Sequence, residues 1–143
     1  MSHVALDASG IPFARELGIV IVQAGNGSSE LQLVPRAAHG NSLGVVHGGV
    51  LMTLLDIAMA AAALADDPAQ AAVTVEMKTS FMRGVKRVAE QPLTARGRLL
   101  RRTRSMAFAE ASLFDADGEF SAHATGTFKF VRRRSPCHPP PSP

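Results

Sequence analysis

At 143 residues, with 46% hydrophobic and 19% charged residues, the chain has the size and composition of one soluble globular domain, able to bury about two-thirds of its unfolded surface. The net charge of +3 sits at the end: Arg132, Arg133 and Arg134 supply three of the 15 basic residues, leaving 12 of each sign in residues 1–131 and no basic footprint for a nucleic acid. Met1–Gly10 has neither a basic start nor an apolar run, and the single Cys137 forms no intrachain disulfide, so no secretory leader and a cytoplasmic location are expected.

In chain order, Ile11–Leu17 (IPFAREL) is a short amphipathic piece, with Phe13 and Leu17 at i and i+4, expected to form a turn or two of helix. Gly18–Gln23 is a β-branched run, Gly25-Asn26-Gly27 a turn signal, and Glu30–Pro35 alternates with Leu31 and Leu33 on one face; together they predict a hairpin. A polar loop, HGNSLG, then leads into a long apolar stretch, His47–Ala65, which Asp66-Asp67-Pro68 terminates because proline disfavours helical geometry in the residue before it. Four strands follow. Val73, Val75, Met77, Thr79 and Phe81 alternate with Thr74, Glu76, Lys78 and Ser80; Leu93–Leu99 alternates likewise up to the basic turn Arg101–Arg104. Ser105–Asp115 is apolar on both faces, which predicts a central strand, and Asp117-Gly118 is a hairpin turn before the last alternating run, Phe120–Phe130. Residues 132–143, basic and then proline-rich (SPCHPPPSP), predict a disordered tail.

The expected order is therefore two strands, one central helix over about 48–65, and four strands, an α+β domain spanning 1–131. One helix that is apolar nearly all round, with half-apolar antiparallel strands, is most simply buried if the curved sheet wraps around the helix. Free sheet edges and an apolar outer face predict a dimer or larger assembly. The apolar stretch is about 16 residues, roughly 24 Å of helix against a hydrocarbon core of about 30 Å, and it carries Asp56 near its centre, so it is expected to be a core helix and not a membrane span.

Asp56 is the residue that chemistry would use. Asp is a poor helix-interior residue. Its helical neighbours, Met52, Thr53, Met59 and Ala60, include no group able to neutralise it. A carboxylate in such a wall has a raised pKa and becomes a stronger base toward water. At the helix start, the glycines of His47-Gly48-Gly49 leave the backbone open to close approach, and free amides with the macrodipole behind them suit an oxygen gaining negative charge. His47 at a helix start is expected to bond nearby backbone. Among His39, Asn41, His47 and Asp56 no pair has the short one-sided spacing of a helical zinc motif, so no metal is expected.

Asn41, the HGG of His47–Gly49 and Asp56 form the pattern N-x5-H-G-G-x6-D at a loop-to-helix junction, with four strands after it. That pattern resembles the hotdog-fold acyl-CoA thioesterases, especially the branch with the phenylacetate-degradation and 4-hydroxybenzoyl-CoA thioesterases, over about Ile11–Phe130. The resemblance implies hydrolysis of an acyl- or aryl-CoA to free acid and CoA, with CoA part of the substrate and no separate cofactor. It implies Asp56 as general base or nucleophile, the Gly48 amide as the donor polarising the thioester carbonyl, Asn41 as a loop residue holding water or thioester, and Thr74 as a water-positioning residue. It also implies a homodimer or homotetramer with the active site at the subunit interface. Arg83, Lys86 and Arg87, just past the third strand, are candidates for the CoA phosphates, which suit basic side chains. With no Trp or Tyr, the pocket is expected to use Met52, Met59, Phe81 and Met82. Two other readings use the same fold. A hydratase or dehydratase needs an acid–histidine pair, and here His47 precedes the helix; a non-catalytic acyl-CoA binding module would hold the thioester intact.

Overall fold

The computed structural model describes residues 10–133. Its elements are helix α1 (Pro12–Leu17), strands β1 (Val20–Gly25) and β2 (Ser28–Leu33), helix α2 (Gly48–Leu64), and strands β3 (Gln70–Phe81), β4 (Leu93–Arg102), β5 (Met106–Phe114) and β6 (Phe120–Arg132). The strands form one antiparallel sheet of order β1-β2-β4-β5-β6-β3. Helix α2 touches all six strands. Neighbouring strands lie about 4.8 Å apart, so one helix reaches six of them only if the sheet curls around it. This is the expected hotdog arrangement, with β5 central. Strand β5 is not apolar on both faces as expected, because Ala107, Ala109, Ala111 and Leu113 face the core while the outer face carries Glu110, paired with Arg98 and His123. Among the described residues no helix is long and apolar enough to cross a membrane.

Local chemistry explains the turns. Asn26 and Gly27, at φ 52° and 74°, both adopt the left-handed conformation that a two-residue hairpin between β1 and β2 demands. Asp66 Oδ2 accepts from the Asn26 N–H at 2.9 Å, tying that hairpin to the end of α2. At the β5–β6 turn, Asp115 Oδ1 accepts from the N–H groups of Asp117 and Glu119, both at 2.9 Å.

Small residues set how close the helix lies to the sheet. Ala95, Ala107, Ala109, Ala111, Ala122 and Ala124 are buried on the inner face. At Gly97 there is no room for even a methyl group: a Cβ there would collide with the Ala58 carbonyl oxygen and lie 2.5 Å from Ser29 Oγ. Ser29 Oγ donates to that same carbonyl at 2.6 Å, so helix backbone is fastened directly to the sheet. Gly97→Ala must push α2 off β4 and should cost about 3 kcal/mol, the upper end of overpacking penalties, read from the denaturant midpoint. A loss under about 1 kcal/mol would show that the helix can ride outward freely.

Two expectations need correction. Strand β3 does not alternate strictly: its pairing with β6 slips between Thr74 and Glu76, leaving Val75 as an extra residue in a bulge. Val73 and Val75 are consequently 50% and 58% exposed and do not share the buried face with Met77. The ordered domain also runs past residue 131, because Arg132 pairs with Gln70 and the Arg133 N–H donates to the Ala69 carbonyl at 3.1 Å. The rest of the expected tail, 134–143, and the first nine residues of the expected domain lie outside the described residues.

Candidate active site

Helix α2 starts on His47. Its Nδ1 accepts from the Gly49 N–H at 2.9 Å, and its carbonyl accepts from Val50 and Leu51. Among the described residues nothing takes up the Gly48 N–H, so Gly48 presents the one free amide of this first turn, at the positive end of the helix dipole. Gly49 is small because a Cβ there would come within 3.1 Å of the capping imidazole. The loop before the helix is pinned by Asn41, whose Oδ1 accepts from the N–H groups of Leu43 at 2.9 Å and Val45 at 3.2 Å. The His47 N–H donates to the carbonyl of buried His39 at 2.7 Å. Burial, and then the Arg36 guanidinium, lowers the His39 pKa, which keeps that ring neutral as an acceptor for the Arg36 N–H.

Two turns further on, Asp56 is half-buried on a helix stripe with Met52, Ala60 and Leu64 that its own sheet leaves partly open. Its helical neighbour Thr53 donates to the Gly49 carbonyl at 2.8 Å and so does not hold the carboxylate. Thr74 does, with Oγ1 donating to Asp56 Oδ1 at 2.7 Å. The bulge at Val75 makes this possible: Thr74 and Met77, three residues apart, both face α2 beside Asp56. Burial raises the Asp56 pKa, and the Thr74 hydrogen bond opposes that shift in part. The carboxylate is therefore basic for an aspartate and held in one orientation, with its second oxygen free of side-chain donors among the described residues.

Asp56 and Thr74 close one end of a cavity of about 450 Å³ lined by Ile21, Ala24, Ala60, Ala61, Leu64 and Ala72. This lies within the ~300–1,000 Å³ typical of small-molecule sites. Met59 is fully buried in the core against Gly126 and lines no part of it. Phe81 and Met82 lie elsewhere, in a cavity of about 260 Å³ that Gly48 and Arg83 also line. Arg83 is held loosely by Glu119 at 3.7 Å; Lys86 is exposed and its backbone bridges to Val45 in the loop; Arg87 is exposed. Within one chain, then, the proposed donor and the proposed base do not meet. Eight residues of helix separate them by roughly 12 Å. The sequence reading missed Arg133, which it assigned to the tail although the residue borders the larger cavity; alternation ends at Phe130 and offered no signal for it.

The sequence profile of the thioesterase superfamily matches residues 43–122, a span that contains Gly48, Asp56, Thr74, Arg83, Lys86 and Arg87. A protein of Saccharolobus solfataricus, provisionally named an esterase, is 28% identical over 118 residues, 82% of each chain. Among solved structures, a conserved protein from Pseudomonas aeruginosa is similar with a TM-score of 0.78 and 28% identity, over 87% of this chain and 100% of that one. A mutant of the phenylacetic acid degradation protein PaaI from Thermus thermophilus is similar with a TM-score of 0.73 and 27% identity, over 82% of this chain and 97% of that one.

Proposed function

Because the chain belongs to the thioesterase superfamily, we propose that it hydrolyses an acyl- or aryl-CoA thioester to the free acid and CoA, with Asp56 as the base. The observation that carries this reading is a half-buried, Thr74-held carboxylate of raised pKa at the end of an apolar cavity. Asp56 takes a proton from water as the water attacks the thioester carbonyl, or attacks that carbon itself to form a mixed anhydride that water then hydrolyses, releasing the acid and restoring the carboxylate. The developing oxyanion is met by the Gly48 amide, and the thiolate of CoA leaves. Since about 12 Å of helix separates the two groups in one chain, the donor facing Asp56 is Gly48 of the partner subunit. Three features support such pairing: the outer edge of β3 is free among the described residues, Val73 and Val75 are exposed beside it, and the Asp56 stripe of α2 is incompletely covered. Arg83 shares a cavity with Gly48, which puts a cation at the donor end for the CoA phosphates, with Lys86 and Arg87 nearby in the chain. Asn41 acts by holding the loop that delivers Gly48.

A panel of acyl-CoAs read by thiol release tests the activity, and its pH profile tests the base. The rate should fall on the acid side as Asp56 protonates, at a pH above the ordinary aspartate range because burial raises its pKa. Thr74→Val removes the hydrogen bond that favours the carboxylate, so it should move this limb to higher pH as well as lower the rate. An unmoved limb would mean that another group titrates.

A further inference from the structure

The Asp56 cavity is apolar along its length but not at its far end. There it meets Asp67 and Arg133. Asp67 is already satisfied: Oδ2 accepts from Arg102 at 3.3 Å and Oδ1 from the Ala69 N–H at 3.3 Å. Arg102 is itself held by the Ala63 carbonyl at 3.2 Å and lies over the Phe130 ring. Arg133 differs. Its Nε donates to the Gln70 carbonyl at 3.1 Å, which orients the guanidinium, while among the described residues no carboxylate pairs with its two terminal nitrogens. Arg133 is therefore an exposed but oriented cation, paired with no carboxylate among the described residues, at one end of a half-open apolar channel whose other end is the reacting carboxylate. Gln70, which holds it, lies four β3 residues before Thr74, or roughly 13 Å of strand.

Resting on the hydrolase reading above, we propose that the acyl group lies along this channel and that Arg133 selects acyl chains of medium length carrying a carboxylate or other strong acceptor at the end remote from the thioester. The guanidinium fork is suited to such a carboxylate, the alanines admit the methylene chain, and Asp56 meets the thioester at the opposite end. A plain alkyl chain fills the channel equally well but leaves Arg133 beside a methyl group.

The test compares monosuberyl-CoA, with eight carbons and a terminal carboxylate, against octanoyl-CoA. Wild-type protein should favour the former in kcat/KM by about tenfold or more, as expected for a charge-assisted hydrogen bond. Arg133→Gln should lower that ratio by about tenfold, and Arg133→Lys should restore part of it. Ala61→Leu, which narrows the channel, should lower kcat/KM for both eight-carbon substrates relative to propionyl-CoA. A wild-type preference for octanoyl-CoA, or a ratio unmoved by Arg133→Gln, overturns the proposal. If the wild type releases thiol from neither, calorimetry with the non-hydrolysable thioether analogues of both substrates separates the two readings. Tighter binding of the carboxylated analogue, lost in Arg133→Gln, retains the anion subsite and rejects the hydrolase; equal binding rejects the subsite.

Discussion

Asp56→Asn should lower kcat by about 10²–10⁴, the range that a positioned general base supplies, while unfolding no earlier than the wild type. The amide oxygen still accepts from Thr74 Oγ1, so the link between α2 and β3 survives. The sign of the stability effect follows from the raised pKa. A folded state that holds the proton more tightly than the unfolded chain is penalised once the group ionises, so the carboxylate costs stability at neutral pH and its neutral isostere does not. Thiol-release kinetics and a thermal melt on the same preparation check both halves. Retained turnover would remove Asp56 from the chemistry, whereas a large fall in melting temperature would make it a structural residue.

Gly48→Pro should lower kcat by about 10²–10³, the usual cost of losing one oxyanion donor. Proline removes the N–H but suits the first position of a helix, and it requires extended geometry in the preceding residue. His47, at φ −60° and ψ 135°, already has it. The larger expectation concerns mixtures. Asp56→Asn and Gly48→Pro subunits, each inactive alone, should regain about a quarter of wild-type activity when unfolded, mixed and refolded together, since random pairing into two-fold dimers leaves about that share of sites with both groups intact. A site contained within one subunit would regain nothing. Activity of the mixture, read beside its sedimentation as a dimer or larger species, decides between these arrangements.

Much of the architecture was legible because each element carries its own period. A stretch apolar on every side such as Leu51–Ala63 has to be enclosed, and strands with one apolar face have to enclose it. Asp56 stood out for the same reason, as the single charge in that stretch. What remained hidden depends on contacts between distant segments. Strict alternation puts Thr74 opposite Met77, and only the pairing of β3 with β6 shows the extra residue that brings both to the helix. Gly97 looks like any glycine in a strand until Ala58 is seen against it. Met59 was expected to line the site, yet in the structure its place is taken by alanines, and the methionine fills the space left by Gly126. The roughly 12 Å of helix between Gly48 and Asp56 follows from their spacing alone, but the cation at the channel end could not be weighed until the chain was folded.

The irregularity at Val75 reaches beyond its own strand. Before it, even-numbered side chains look toward the helix; after it, odd-numbered ones do, so the strand changes parity in the middle. Excising that single valine would return β3 to uniform pleating and turn the Thr74 hydroxyl outward, silencing the base without altering either residue of the pair. A residue whose own side chain is exposed thus keeps the phase of the whole site.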